Sequence, residues 1–170
     1  MKRAAMSTLP EVNTLLAQLA TQIGPLDSRS ALVGIHTGGV WVAERLQALL
    51  KPKEALGTLA VTLHRDDYGR IGLHPQAKTT RIPFDVNGKN ILLIDDVIYT
   101  GRTIRAALNE LFDFGRPASV KLVCLADRGG RELPITPDYV GVSVSVKKSQ
   151  ELVLMKDGDA LRLQIHELTT

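Results

Sequence analysis

Ile91-Leu92-Leu93-Ile94-Asp95-Asp96-Val97-Ile98-Tyr99-Thr100-Gly101-Arg102-Thr103 sets four apolar residues before two acids, and a glycine-containing turn before a helical pattern. The apolar run predicts a buried strand from Ile91 to Ile94. Ile104, Leu108, Leu111 and Phe112 then define the inward face of a helix that ends at Gly115, with Pro117 just beyond. A helix start offers unpaired backbone N–H groups and the positive end of the helix dipole, which suit a phosphate; Thr hydroxyls add donors. Gly101 lets the backbone approach closely. Asp95 and Asp96 are suited to accept hydrogen bonds from ribose hydroxyls, and one of them can reach a magnesium ion directly or through its waters. Phosphate at one end and a sugar diol at the other describe a ribose 5-phosphate.

A second strand, turn and helix lie upstream. Ala31-Leu32-Val33-Gly34-Ile35 reads as a buried strand, followed by Thr37-Gly38-Gly39 and a helix with Val42, Leu46, Leu49 and Leu50 on one face. On the residues alone, Thr37 to Gly39 reads equally as a helix start that receives pyrophosphate oxygens or as a tight left-handed turn. Before this unit, Thr8-Leu9-Pro10-Glu11 has capping-box spacing, and Val12, Leu15, Leu16, Leu19 and Ile23 recur at helical intervals up to Gly24-Pro25. Leu56 to Leu63 is apolar and partly alternating. From His64 to about Pro83 the chain has glycines, prolines and basic residues without periodicity, a length that predicts a lid rather than an ordinary connection. Downstream, Val120 to Ala126 reads as a strand, with short β pieces at 139–142, 152–155 and 161–165. Asp157-Gly158 signals a hairpin between the last two. Continuous apolar strands alternating with helices imply an α/β fold with a mostly parallel central sheet, helices on both faces and a small C-terminal β region. Residues 1–170 show no repeat or linker and read as one domain.

Hydrophobic residues make up 44% and charged residues 23% of the chain, close to globular averages, which disfavours disorder. No apolar run reaches the roughly 18 residues of a membrane span, and none follows Lys2-Arg3 as in a signal peptide, so a cytoplasmic location is expected. The net charge of +3 suits anionic ligands but is too small to establish nucleic-acid binding. Cys124 lies in an apolar strand and reads as structural. His36, His64, His74 and His166 have no metal-ligand spacing, which argues against zinc. Trp41, early in a helix, reads as a packing residue. Neither G-x-x-x-x-G-K-[ST] nor G-x-G-x-x-G after the first strand is present, so a nucleoside triphosphatase is disfavoured.

The strand, acid pair and Thr-Gly-x-Thr turn resemble the phosphoribosyl pyrophosphate motif of type I phosphoribosyltransferases. Asp95 to Leu108, Gly115-Arg116-Pro117, Asp127-Arg128-Gly129 and Arg131-Glu132-Leu133-Pro134-Ile135 resemble the PyrR family in particular, uracil phosphoribosyltransferases that also regulate pyrimidine operons. Leu63-His64-Arg65-Asp66-Asp67 is similar to the segment before that family's flexible loop. The resemblance covers nearly the whole chain from about Leu32. It implies UMP and pyrophosphate formation from uracil and phosphoribosyl pyrophosphate with Mg²⁺ carried mainly by the substrate, and a homodimer or higher homo-oligomer. Asp95 and Asp96 would be the catalytic acids on the ribose hydroxyls, Val97, Ile98, Tyr99, Thr100, Gly101, Arg102 and Thr103 the 5′-phosphate segment, and Thr37, Gly38 and Gly39 the pyrophosphate loop. Arg128 would be a nucleotide contact. Arg65, Lys78 and Arg81 would be lid cations, although Lys78 and Arg81 read equally as part of a solvated basic loop.

Four departures matter. The family usually has Arg where this chain has Gly38, which removes one pyrophosphate-facing charge. Gly130 and Thr136 stand where His and Arg are common, and the first helix, Glu11 to Ile23, contains no Lys or Arg. Those last positions bear on the alternative reading, an RNA-binding regulator whose partner is a pyrimidine leader mRNA. The sugar-phosphate motifs are shared with 6-oxopurine phosphoribosyltransferases, so uracil rests on the resemblance outside the core motif.

Overall fold

The computed structural model describes residues 8–61 and 78–169. Within them, β1 (Ser30–Ile35), β2 (Gly57–Leu59), β3 (Asn90–Ile98), β4 (Ser119–Asp127) and β5 (Tyr139–Ser143) form a parallel sheet in the order β2-β1-β3-β4-β5. Its central strands are apolar at successive positions because both faces are covered. Leu92 and Ile94 join one core with α1 (Val12–Ile23) and α2 (Gly38–Leu50), whereas Ile91 and Leu93 join another beneath α3 (Arg102–Phe112). Burying each such side chain contributes about 1.5–3 kcal/mol. β6 (Gln150–Asp157) and β7 (Ala160–Glu167) form a separate antiparallel hairpin turned by Gly158 and Asp159, with Gly158 at φ 57°. Leu152, Leu154, Leu161 and Leu163 dock the hairpin onto the α1 and α2 core, and Arg45 of α2 donates to the Asp159 carbonyl.

Several boundaries differ from the sequence-based expectations. Glu11, extended at ψ 134°, caps α1 without a side-chain bond, so Thr8 to Glu11 forms no capping box. Pro10 disfavours helical geometry at Leu9, which would have to be the first helical residue after a Thr8 cap. α2 begins at Gly38, putting both glycines inside its first turn instead of ahead of it. α3 ends at Phe112, where the N–H groups of Asp113 and Phe114 turn back to Glu110 and Leu111. Leu49 and Phe112, expected inward, are 52% and 54% exposed; the inward positions belong to Val42 and Leu46 in α2 and to Ile104, Ala107 and Leu111 in α3. Trp41 packs against the α1 and α2 core as expected.

Sheet order decides where a ligand can sit. α2 leaves β1 toward β2 on one side, and α3 leaves β3 toward β4 on the other, so the chain reverses its winding between the adjacent strands β1 and β3. A crevice opens beyond the carboxyl ends of strands at such a point. The N-termini of α2 and α3 flank it from opposite faces of the sheet.

Candidate functional site

β3 runs through the acid pair to Ile98 instead of stopping at Ile94, because its pairing with β4 continues to Ile98 and Asp127. Asp95 and Asp96 are therefore held by the sheet. Each carboxylate also accepts a backbone N–H from the next residue, Asp96 N to Asp95 Oδ1 at 2.9 Å and Val97 N to Asp96 Oδ1 at 2.8 Å. Among the described residues neither acid pairs with a Lys or Arg. Asp95 is only 6% exposed. Burial, and then the charge of Asp96, pushes its carboxyl well above the ordinary 3.8. Folded Asp95 thus keeps a proton at pH values where the unfolded chain has lost it. It costs stability progressively as pH rises above 3.8, and nothing below that value. In metal-free protein, Asp95→Asn is expected to raise the melting temperature at pH 8 and to match the wild type near pH 3; melting curves across that range decide it, and equal shifts at both pH values would sink the explanation.

The first turn of α2 lies directly against this pair. A methyl group on Gly38 would sit 2.0 Å from Asp96 Oδ2, and one on Gly39 would sit 2.6 Å from the Ile94 carbonyl oxygen and 3.0 Å from Asp95 Cα. Glycine at both positions lets the Thr37–Gly39 backbone reach the acids. The His36–Thr37 peptide that leads into the loop is cis.

After β3 the chain turns through Tyr99, Thr100 and Gly101, which has φ 94°, into α3. Asp95, Tyr99, Thr100, Gly101 and Thr103 are among the lining of a small cavity of about 60 Å³. Ile98 is buried in the α3 core, so only its backbone is available to a ligand, and Val97 packs against the opposite core. Thr100 Oγ1 accepts the Arg102 N–H at 3.2 Å. Arg102 pairs with Glu132 at 2.9 Å, an ion pair about half exposed on each side and of little energetic weight. A larger cleft of about 370 Å³, lined by Asp27, Asn90 and Lys121 among others, opens at the amino ends of the strands, away from the acids.

Arg128 lies with its guanidinium 3.8 Å from the centroid of the Tyr99 ring and donates to the carbonyls of Gln150 and Lys147 at 3.0 and 3.4 Å. It thereby joins the turn after β3 to the hairpin. Arg65 lies outside the described residues, as do His64 and His74. The chain returns at Lys78 and is pinned where Thr58 and Arg81 exchange backbone hydrogen bonds of 2.8 Å and Thr80 Oγ1 accepts Ala60 N–H at 2.9 Å. Lys78 is exposed and close enough to His36 to help lower its pKa, after burial as the larger cause. Cys124 is fully buried beside Asp95 in the sheet register, and burial followed by the charges of Asp95, Asp127 and Asp96 pushes its thiol far up, in keeping with a structural role.

The sequence reading missed the pair between Asp127 and Arg131, whose Nη2 to Oδ2 distance is 2.6 Å. Their four-residue spacing was the available signal, but Asp127 ends β4 and Arg131 lies in the connection beyond it, where that spacing carries no helical meaning.

A parallel sheet whose winding reverses beside an acid pair, with two helix starts converging there, is the arrangement of a type I phosphoribosyltransferase. Residues 4–154 match the family described as Phosphoribosyl transferase domain. The fold is similar to a purine phosphoribosyltransferase from Pyrococcus horikoshii (TM-score 0.59, 24% identity, 79% of this chain and 82% of that one). It is also similar to a hypoxanthine-guanine phosphoribosyltransferase from Bacillus anthracis (TM-score 0.63, 22% identity, 81% and 82%). Sequence similarity is stronger to proteins named Bifunctional protein PyrR. That of Pseudomonas paraeruginosa is 56% identical over 127 residues, 75% of each chain. That of Pseudomonas syringae pv. tomato is 45% identical over 168 residues, 96% of this chain and 98% of the relative. The chain belongs to the PyrR family of phosphoribosyltransferases. No helix among the described residues is long and apolar enough to cross a membrane.

Proposed function

We propose that the protein is a uracil phosphoribosyltransferase, which joins uracil N1 to C1 of phosphoribosyl pyrophosphate and releases pyrophosphate, forming UMP. The observation that carries this is the convergence of the acid pair with the starts of α2 and α3, together with membership of the PyrR family. In the proposed complex, Tyr99 to Thr103 hold the 5′-phosphate on backbone N–H groups and Thr hydroxyls, with Val97 and Ile98 leading into that turn. Asp95 and Asp96 accept the ribose hydroxyls, and Thr37, Gly38 and Gly39 receive the pyrophosphate. Arg128 lies at the nucleotide side, and Lys78 at the pyrophosphate side.

The bond from C1 to the pyrophosphate oxygen breaks with its electron pair going to pyrophosphate. Positive charge develops on the sugar ring, N1 closes the new bond, and its proton goes to solvent. The residues orient the sugar between phosphate and pyrophosphate and keep carboxylate oxygens beside the ring as its charge develops. The adjacent Asp95 and Asp96 carboxyl groups, with no Lys or Arg partner among the described residues, would form a hard oxygen donor set that fits Mg²⁺ shared with substrate oxygens once Asp95 gives up its proton. When bound, the ion supplies charge neutralisation on the departing pyrophosphate.

Pyrophosphate release from phosphoribosyl pyrophosphate and Mg²⁺, with uracil, hypoxanthine, guanine or orotate offered separately, tests the reading. Turnover with uracil alone is expected; turnover with a purine alone would transfer the assignment to 6-oxopurines, and none with any base would remove it. Family membership also supports regulation of pyrimidine genes through a leader mRNA. A UMP-enhanced, salt-sensitive shift of such an RNA tests that second role.

A further inference from the structure

The connection from β4 to β5 carries an arginine that the proposed reaction does not use. Arg131 donates from Nε to the Ile135 carbonyl at 2.7 Å, from Nη1 to the Tyr99 carbonyl at 2.9 Å and to Asp127 Oδ1 at 3.0 Å, and from Nη2 to Asp127 Oδ2 at 2.6 Å. Immediately after it, the N–H groups of Glu132 and Leu133 both donate to the Thr100 carbonyl, at 2.9 and 3.2 Å. The segment thus grips two successive carbonyls of the turn between β3 and α3.

A trans peptide is planar, so its C=O and the following N–H point in opposite directions. The peptides from Tyr99 to Gly101 are trans. Holding the Tyr99 and Thr100 carbonyls against residues 131–133 therefore turns the N–H groups of Thr100 and Gly101 away from that segment. The small cavity beside Asp95 lies on this other side: Tyr99, Thr100 and Gly101 line it, and no residue of 127–135 does. Neither N–H has an acceptor among the described residues. Two donors are left aimed at one small space, as a phosphate oxygen requires.

Arg131 does not act there as a charge, because the Asp127 carboxylate neutralises it in a two-pronged pair. Its fork geometry is what matters, since Nη1 spans Asp127 and Tyr99 while Nε holds Ile135. A lysine keeps the charge and cannot reproduce that fork. We infer that Arg131, anchored by Asp127, is a positioning residue that orients the Thr100 and Gly101 N–H groups for the 5′-phosphate. The inference rests on the phosphoribosyltransferase reading above.

Titration calorimetry of purified wild type and Arg131→Lys with three probes tests it: ribose 5-phosphate, Mg²⁺-pyrophosphate and Mg²⁺-phosphoribosyl pyrophosphate. Ribose 5-phosphate carries the 5′-phosphate alone, whereas pyrophosphate reports on the Thr37–Gly39 loop. Arg131→Lys is expected to weaken ribose 5-phosphate and phosphoribosyl pyrophosphate about tenfold and to leave pyrophosphate unchanged. A general loss of structure would weaken all three together, and that result, or no change in any, overturns the role. If Arg131→Lys does not fold, Asp127→Asn decides, with a loss of about threefold expected in the same two ligands only. A wild type that binds none of the probes overturns the phosphoribosyl reading and this role with it, whereas normal wild-type binding with unaltered variants removes the role alone.

Discussion

Asp96→Asn is expected to lower turnover with uracil by about a hundredfold or more while shifting the melting temperature by no more than about 2 °C. Asparagine keeps the shape of the side chain and an oxygen to accept the Val97 N–H that Asp96 Oδ1 now takes. Asp96 is only half-buried and has no cationic partner among the described residues, so removing its charge breaks no ion pair there. On the proposed reaction, what is lost is a negative oxygen beside a sugar that becomes positive, an interaction stronger in the transition state than in the ground state. Steady-state kinetics and a melting curve on the same preparation separate the two effects. Parallel losses of fold and activity would show that Asp96 is a framework residue.

Gly39→Ala is expected to cost both stability and activity. The added methyl would approach the Ile94 carbonyl oxygen to 2.6 Å and Asp95 Cα to 3.0 Å, and neither backbone atom can rotate away. The first turn of α2 has to move off β3, at about 2 kcal/mol, or about 6 °C of melting temperature for a chain of this size. That movement separates the Thr37–Gly39 backbone from the acids, and a displacement of about 1 Å between positioned groups costs about a hundredfold in rate. Activity is therefore expected to remain low even at temperatures where the variant is fully folded. Full activity at 20 °C would mean that this contact does not set the site.

The apolar runs at 31–35, 91–94 and, apart from Lys121, 120–126 were enough to read the parallel sheet, since only strands covered on both faces lack alternation. Strand ends were harder. Asp95 and Asp96 read as a terminus because acids are rare inside sheets, yet pairing with β4 carries the strand past them. Leu49 and Phe112 were placed inward by helical periodicity, which cannot tell a wide apolar face from the part of it that a neighbour covers. The acid pair and both glycine-containing loops were legible as local patterns. Contacts of long sequence separation were not: nothing local links Gly38 to Asp96, Tyr99 to Arg128 or Arg131 to Tyr99.

Neighbouring strands stand about 4.8 Å apart whatever side chains they carry. Because the Thr37–Gly39 and Tyr99–Thr103 segments leave the adjacent strands β1 and β3, on the proposed reading the sheet itself acts as a ruler for the sugar and the groups at its two ends. No base enters that measurement. On the same reading, choice of base falls to segments attached outside the ruler. A change of base specificity should then be sought by substitutions outside the β1 and β3 loops and the residues that hold them.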